Sequence, residues 1–213
     1  MSYRMFSLSL LFAFVCPIQA QIKLSEDFVQ ILDQAGIEWM EPVEARYKQV
    51  PVRKKAFQAY DYAIRSRKER IEIRYIIRPY EPGAPSADVP HVEASRLVMH
   101  LATNDEDYLI AGREVAPELL SGFFNADWGM QYFFHPKAGF ADWNHCEVLA
   151  LHKDGQGTAF VLFLFDEPSR ELGNRFYALR FKAYRLGAKG GAGAARAKPK
   201  IRRSQLTGYF RDS

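Results

Sequence analysis

The stretch His145–Phe165, HCEVLALHKDGQGTAFVLFLF, decides the fold. Its middle, Lys153-Asp154-Gly155-Gln156-Gly157, has turn chemistry, since an Asp-Gly step supplies the positive φ angles that a tight hairpin needs. On either side lie His145–His152 and Thr158–Phe165, both of strand length. Phe160–Phe165 is apolar at every position, so both faces of that strand must be covered and it belongs in the centre of a sheet. An antiparallel hairpin with a layer on each side is the expectation.

Outward from the hairpin, Met130–His135 reads as a third strand. Upstream, Tyr60, Tyr62 and Ile64 alternate, Arg65–Glu69 form a polar connection, and Ile71, Ile73, Tyr75 and Ile77 alternate with Glu72, Arg74, Ile76 and Arg78. That is a second hairpin. The proline-rich segment 80–91 reads as a loop. Three helices are expected. Ser25 caps one, with Glu26 and Asp27 in its first turn, Phe28, Ile31, Leu32 and Ala35 at helical spacing, and Gly36 ending it. Val92–Thr103 carries Ala94, Leu97, Val98 and Leu101 on one stripe, with His100 between them as an exposed or hydrogen-bonded residue. Pro117–Phe124 is short, and Arg175–Tyr184 alternates weakly, as either a closing strand or a last helix. The fold class is therefore α+β, a largely antiparallel sheet covered by helices, in a single domain spanning 21–186.

The termini differ in character from this body. Arg4, the apolar run Phe6–Val15, Pro17 and the small residue Ala20 have the layout of a signal peptide, residues 1–20, cleaved after Ala20. Export leaves Cys146 as the one cysteine of the mature chain, so no internal disulfide holds it and burial must. About 190 residues suffice for that. Residues 187–213 hold seven basic groups against Asp212, which puts this flexible tail at +6 and, with Arg4 in the leader, the body at −3 of the total +4. The tail suits an anionic partner at the cell envelope, such as lipid headgroups or polysaccharide. No aromatic residues interleave its basic stretch, so there is no specific nucleic acid signal. No transmembrane helix is expected once the leader is removed.

Chemistry-bearing residues crowd into Phe124–Lys153, where Ala-Asp-Trp occurs twice, at 126–128 and 141–143. A cysteine nucleophile needs a base beside it, but His145 and Cys146 point to opposite faces of a strand. Cys146 reads as a small buried residue. A zinc site would draw on His135, Asp142, His145 and His152, yet no two histidines stand at i, i+4. Asp127 and Asp142 are the one carboxylate pair suggestive of a glycosidase, and acids before tryptophan also fit turn roles. There is no Gly-x-Ser-x-Gly elbow, phosphate loop or dinucleotide fingerprint. A binding reading takes Asp127, Trp128, Tyr132, Asp142, Trp143 and His145 as an aromatic-and-carboxylate face for sugars or peptides; the alternative is that the tryptophans fill the core edge. No catalytic residue, metal ligand or cofactor is assigned.

The order of a β-hairpin, a helix and further strands over 24–184 resembles the Mog1/PsbP-like α/β/α sandwich of small exported bacterial and chloroplast proteins. The phrases FNADWG, FHP, LHKDGQG and FLFDE are similar to those of uncharacterised exported bacterial proteins. That resemblance implies partner binding and carries no site residues. The expectation is an exported, periplasmic or secreted, non-catalytic binding or accessory domain. Its alternative is a metal- or acid-dependent envelope hydrolase using the Asp127 to His152 region.

Overall fold

The computed structural model describes residues 22–42, 46–52, 56–84, 89–169 and 171–183. The expected signal peptide and basic tail lie outside the described residues. The body is a single α+β domain around a seven-stranded antiparallel sheet. In chain order its elements are α1 (Glu26–Gln34), β1 (Ile37–Trp39), β2 (Lys48–Gln49), β3 (Tyr62–Ser66), β4 (Ile71–Pro79), α2 (Pro90–Leu101), β5 (Ala111–Glu114), α3 (Pro117–Leu119), a π-helical turn (Leu120–Phe124), β6 (Trp128–Phe134), β7 (His145–Lys153), β8 (Gly157–Phe165), α4 (Leu172–Arg175), a 3₁₀ turn (Phe176–Ala178) and β9 (Leu179–Phe181).

The sheet runs β2-β3-β4-β8-β7-β6-β5, so β8 is the central strand, and all nine of its residues are buried. Its side chains alternate between two cores. Val161, Phe163 and Phe165 face α1, while Phe160, Leu162 and Leu164 face α2. A strand covered on both sides has no use for a polar face, which is why the run is apolar throughout. The β7–β8 turn bonds Gln156 N–H to Lys153 O, with Gly155 at φ +69 and Gly157 at φ +123, while Asp154 stays out of the positive region.

Helix α1 forms as its cap demands: the Ser25 hydroxyl accepts from Phe28 N–H at 3.4 Å. It buries Phe28 and Leu32, and the Phe28 ring stacks on Tyr62 with centroids 4.5 Å apart. Helix α2 starts two residues before the apolar stripe suggests, because Pro90 takes the first-turn position where a missing N–H costs nothing. The segment Pro117–Phe124 is helical but only partly α, giving way to the π-turn at Leu120. The weakly alternating C-terminal segment neither closes the large sheet nor forms a long helix. Its middle residues, β9, pair with β1 in a separate two-stranded sheet on the α1 face.

The upstream hairpin forms, with Tyr62 opposite Tyr75 and Ile64 opposite Ile73, but β3 runs on to Ser66, so Arg65 pairs with Glu72 instead of belonging to the connection. In β4, however, Ile71–Ile77 is buried on both faces. Glu72 and Arg74, which alternation places on the second face, lie beneath the loops 56–60 and 137–143, Glu72 at 1% and Arg74 at 6% exposure. The Glu72 carboxylate accepts from Arg65 and from Arg74 Nε at 2.8 Å. The Arg74 guanidinium sits between the Tyr60 and Phe140 rings, 5.0 and 4.8 Å from their centroids, and donates to Phe140 O. Mutual ionic contact makes this polar burial tolerable. No helix among the described residues is long and apolar enough to cross a membrane.

Candidate functional site

The sequence-derived face is distributed over the molecule. Trp128 and Tyr132 lie on the α2 face of β6, both half-buried against that core. His145 opens β7 on the opposite face, beside Phe133 and Phe165. Asp142 is exposed in the β6–β7 loop, and Trp143 is half-buried under the Arg65 guanidinium, 5.4 Å from its ring. Trp128 pairs with His152 at one end of the hairpin, whereas Trp143 precedes the Phe134–Cys146 pair at the other. Six residues of strand, about 20 Å, separate those ends. Asp127 takes a turn role, accepting from Asp154 N–H at 3.0 Å and from Lys153 Nζ at 3.3 Å.

The histidines divide in the same way. His152 is buried and shares a 2.9 Å hydrogen bond with Thr158 Oγ1 on the α2 face. His135 and His145 do come together, with ring centroids 4.6 Å apart, and Tyr108 covers His135 at 3.9 Å. The Nδ1 of His145 is buried without a partner. Burial, with His135 alongside, lowers its pKa, and Asp166 opposes this. Among the described residues no group of three or more potential ligands could hold a metal ion. Cys146 is fully buried between strands, and burial pushes its thiol pKa well up, against a lowering by Arg74. Such a thiol is a packing group, as its place beside Val148 and Ala150 suggests.

A second arrangement has no counterpart in the sequence reading. On the α1 face, the π-turn presses onto β6 at Gly129, where a Cβ would stand 2.7 Å from Leu120 and 3.1 Å from Leu151. Only glycine lets the turn sit this low. Asn125 leaves the turn at φ +50 and donates from Nδ2 to Phe181 O. Between the turn, β5 and the 3₁₀ turn lies a recess of about 200 Å³, lined by Leu119, Phe124, Phe176, Arg113, Gln131 and Tyr177. Arg113 Nε donates to Gln131 Oε1 at 2.6 Å across its mouth, and the buried Tyr177 hydroxyl has no hydrogen-bond partner. Irregular π-turns are frequent at functional sites. The sequence signals were Gly129 inside a strand and Asn125 after a helix. The other walls come from residues about 60 positions apart, which periodicity does not connect.

Glu147 borders this region. Register sets it between Phe133 and Phe163 on the α1 face, and burial raises its carboxyl pKa from 4.5 to about 7, with Arg113 opposing. Between these values the folded chain holds a proton that the unfolded chain releases. Its contribution therefore favours folding at low pH and turns against it as pH rises through about 7. Glu147→Gln should stabilise the protein at pH 8 by about 2–3 kcal/mol, an advantage that vanishes near pH 4.5. Urea denaturation of both proteins across that range measures it, and an equal gap at every pH refutes it. His145 acts oppositely, its lowered pKa costing stability as pH falls below the ordinary histidine value of 6.5.

Comparison of the chain with protein-family models, with curated proteins and with solved structures finds no match.

Proposed function

We propose that the chain is an exported, non-catalytic binding domain of the cell envelope, and that its ligand occupies the recess beneath the π-turn. The observation that carries the binding reading is the recess itself: apolar walls from Leu119, Phe124 and Phe176 stand beside Tyr177, with Arg113 also in the lining. Apolar lining with a few convergent polar groups is the usual composition of a small-molecule site. A guanidinium beside an apolar wall favours a ligand with a short apolar body and a carboxylate end. The leader supports export, and the basic tail supports contact with an anionic envelope component.

The test uses the exported protein, whose mass should correspond to a chain beginning at Gln21. Calorimetry with 3-phenylpropionate should show saturable binding that Leu119→Trp, which fills the recess, abolishes. No binding, or binding indifferent to Leu119→Trp, rejects the site. Recovery of the intact chain from the cytoplasm rejects export. The second reading is a metal- or acid-dependent hydrolase, for which His135 and His145 are the candidate ligands that come together, without a third beside them among the described residues. Stoichiometric zinc in the purified protein, lost in His145→Ala, would select it.

A further inference from the structure

Helix α2 packs on the sheet through Ala94, Leu97, Val98 and Leu101. The flank beside that stripe, with positions 89, 93, 96 and 100 at helical spacing, looks onto Gln58 from the loop before β3 and onto Arg78 near the end of β4. A recess of about 460 Å³ lies between them, a volume within the range of small-molecule sites. It is on the opposite side of the sheet from the recess beneath the π-turn and shares no residue with it.

The two guanidinium groups lining this recess differ in what already holds them. Arg78 is engaged by the buried Glu93 carboxylate and lies over the Phe160 ring. Arg96 forms no ion pair with a described residue: Glu93, three positions before it, is taken, and the positions four before and four after hold Val92 and His100. Gln58 gives its Nε2 to Ala59 O at 3.0 Å, which leaves its Oε1 as an acceptor. At the rim the Phe57 ring lies flat on the His100 imidazole, with centroids 4.5 Å and planes 10° apart, and remains 45% exposed.

We propose that this groove binds a carboxylated sugar, a uronate unit of an anionic polysaccharide. The Arg96 guanidinium holds the carboxylate, whose two oxygens match its planar fork. A ring hydroxyl of the sugar donates to Gln58 Oε1, and the apolar C–H face of the pyranose packs against Phe57. The three groups select together. A phosphate would engage Arg96 but has no apolar face for Phe57 and, fully ionised, no donor for Gln58. A neutral sugar would meet Gln58 and Phe57 and leave Arg96 without its counter-charge. One exposed guanidinium contact and one ring face are modest, so dissociation lies on the order of 1 mM for a single unit. Repetition along a polysaccharide compensates, because each neighbouring uronate raises the effective concentration at the groove.

Amide chemical shifts of the full chain, titrated with trigalacturonate, with its neutral methyl ester and with inorganic phosphate, test this. Trigalacturonate should move Gln58, Arg96 and His100 saturably, and the methyl ester should bind about tenfold more weakly. Arg96→Gln should weaken trigalacturonate by about tenfold and Phe57→Ala by several-fold. Arg96 is exposed, so its variant should keep the wild-type melting temperature and report on binding alone. The basic tail also attracts polyanions, which is why the readout is taken at the groove. Shifts confined to residues after 183, or equal affinity in wild type and Arg96→Gln, would assign the uronate to the tail and overturn the proposal. Phosphate reproducing the groove shifts at equal affinity overturns it too, leaving a plain anion site. Binding of 3-phenylpropionate in the other recess should be indifferent to Arg96→Gln, so either site can fail while the other stands.

Discussion

Gly157→Ala should destabilise the protein by about 4 kcal/mol, the sum of backbone strain and a steric clash of a few kcal/mol each. Gly157 begins the central strand at φ +123, a conformation that a residue with a Cβ adopts only under strain. A Cβ there would stand 2.2 Å from Arg78 O, 2.7 Å from Tyr80 N and 2.9 Å from Pro79 C. All three are backbone atoms of β4 or the residue after it, so no side chain can swing aside. The sheet must open where β4 meets β8, at the Pro79–Gly157 pair. Gly155 is the control. It has φ +69 with nothing within 4 Å, so Gly155→Ala carries backbone strain alone and should cost only about 1 kcal/mol. At 2–4 °C per kcal/mol for a domain of this size, thermal melting should fall by roughly 10–15 °C for position 157 and a few degrees for position 155. Similar losses at the two positions would show that contact with β4 is not the cause.

This turn also shows what the sequence makes legible. Asp154-Gly155 marks the hairpin and the apolar run Phe160–Phe165 marks the central strand, because both are local signals that packing reinforces. Helix α1 is legible for the same reason, from a cap, an apolar stripe and a terminating glycine. Strand β5 is not: Ala111-Gly112-Arg113-Glu114 has no alternation, since every one of its side chains is exposed. Strands β1 and β9 are three residues each and exist by pairing across most of the chain, which local periodicity does not carry. The candidate site fails to read out for a related reason. Asp127, Trp128, Asp142 and Trp143 are close in sequence, but a hairpin sends its two ends about 20 Å apart and its alternate residues to opposite faces. The recess is built the other way, from Leu119, Gln131 and Tyr177, whose meeting depends on the tertiary fold.

The α2 face carries the second large expectation. Glu72→Gln should destabilise the protein by about 3–5 kcal/mol, because it leaves a buried guanidinium without its counter-charge. Glu72 is the carboxylate bonded to both Arg65 and Arg74, and Arg74 is 6% exposed. Arg65 has a side chain 46% exposed and can turn to water, whereas Arg74 is enclosed by Tyr60 and Phe140 and has no such outlet. The loss therefore belongs to Arg74. The double variant Glu72→Leu with Arg74→Met tests that assignment, since an apolar pair of similar volume needs no counter-charge and is frequently neutral or better. Urea denaturation should place the double variant well above Glu72→Gln, with strongly non-additive single effects. If the double variant instead falls by the sum of the two singles, the ion pair is not a coupled unit. The loops 56–60 and 137–143 would then hold this face through apolar contacts alone.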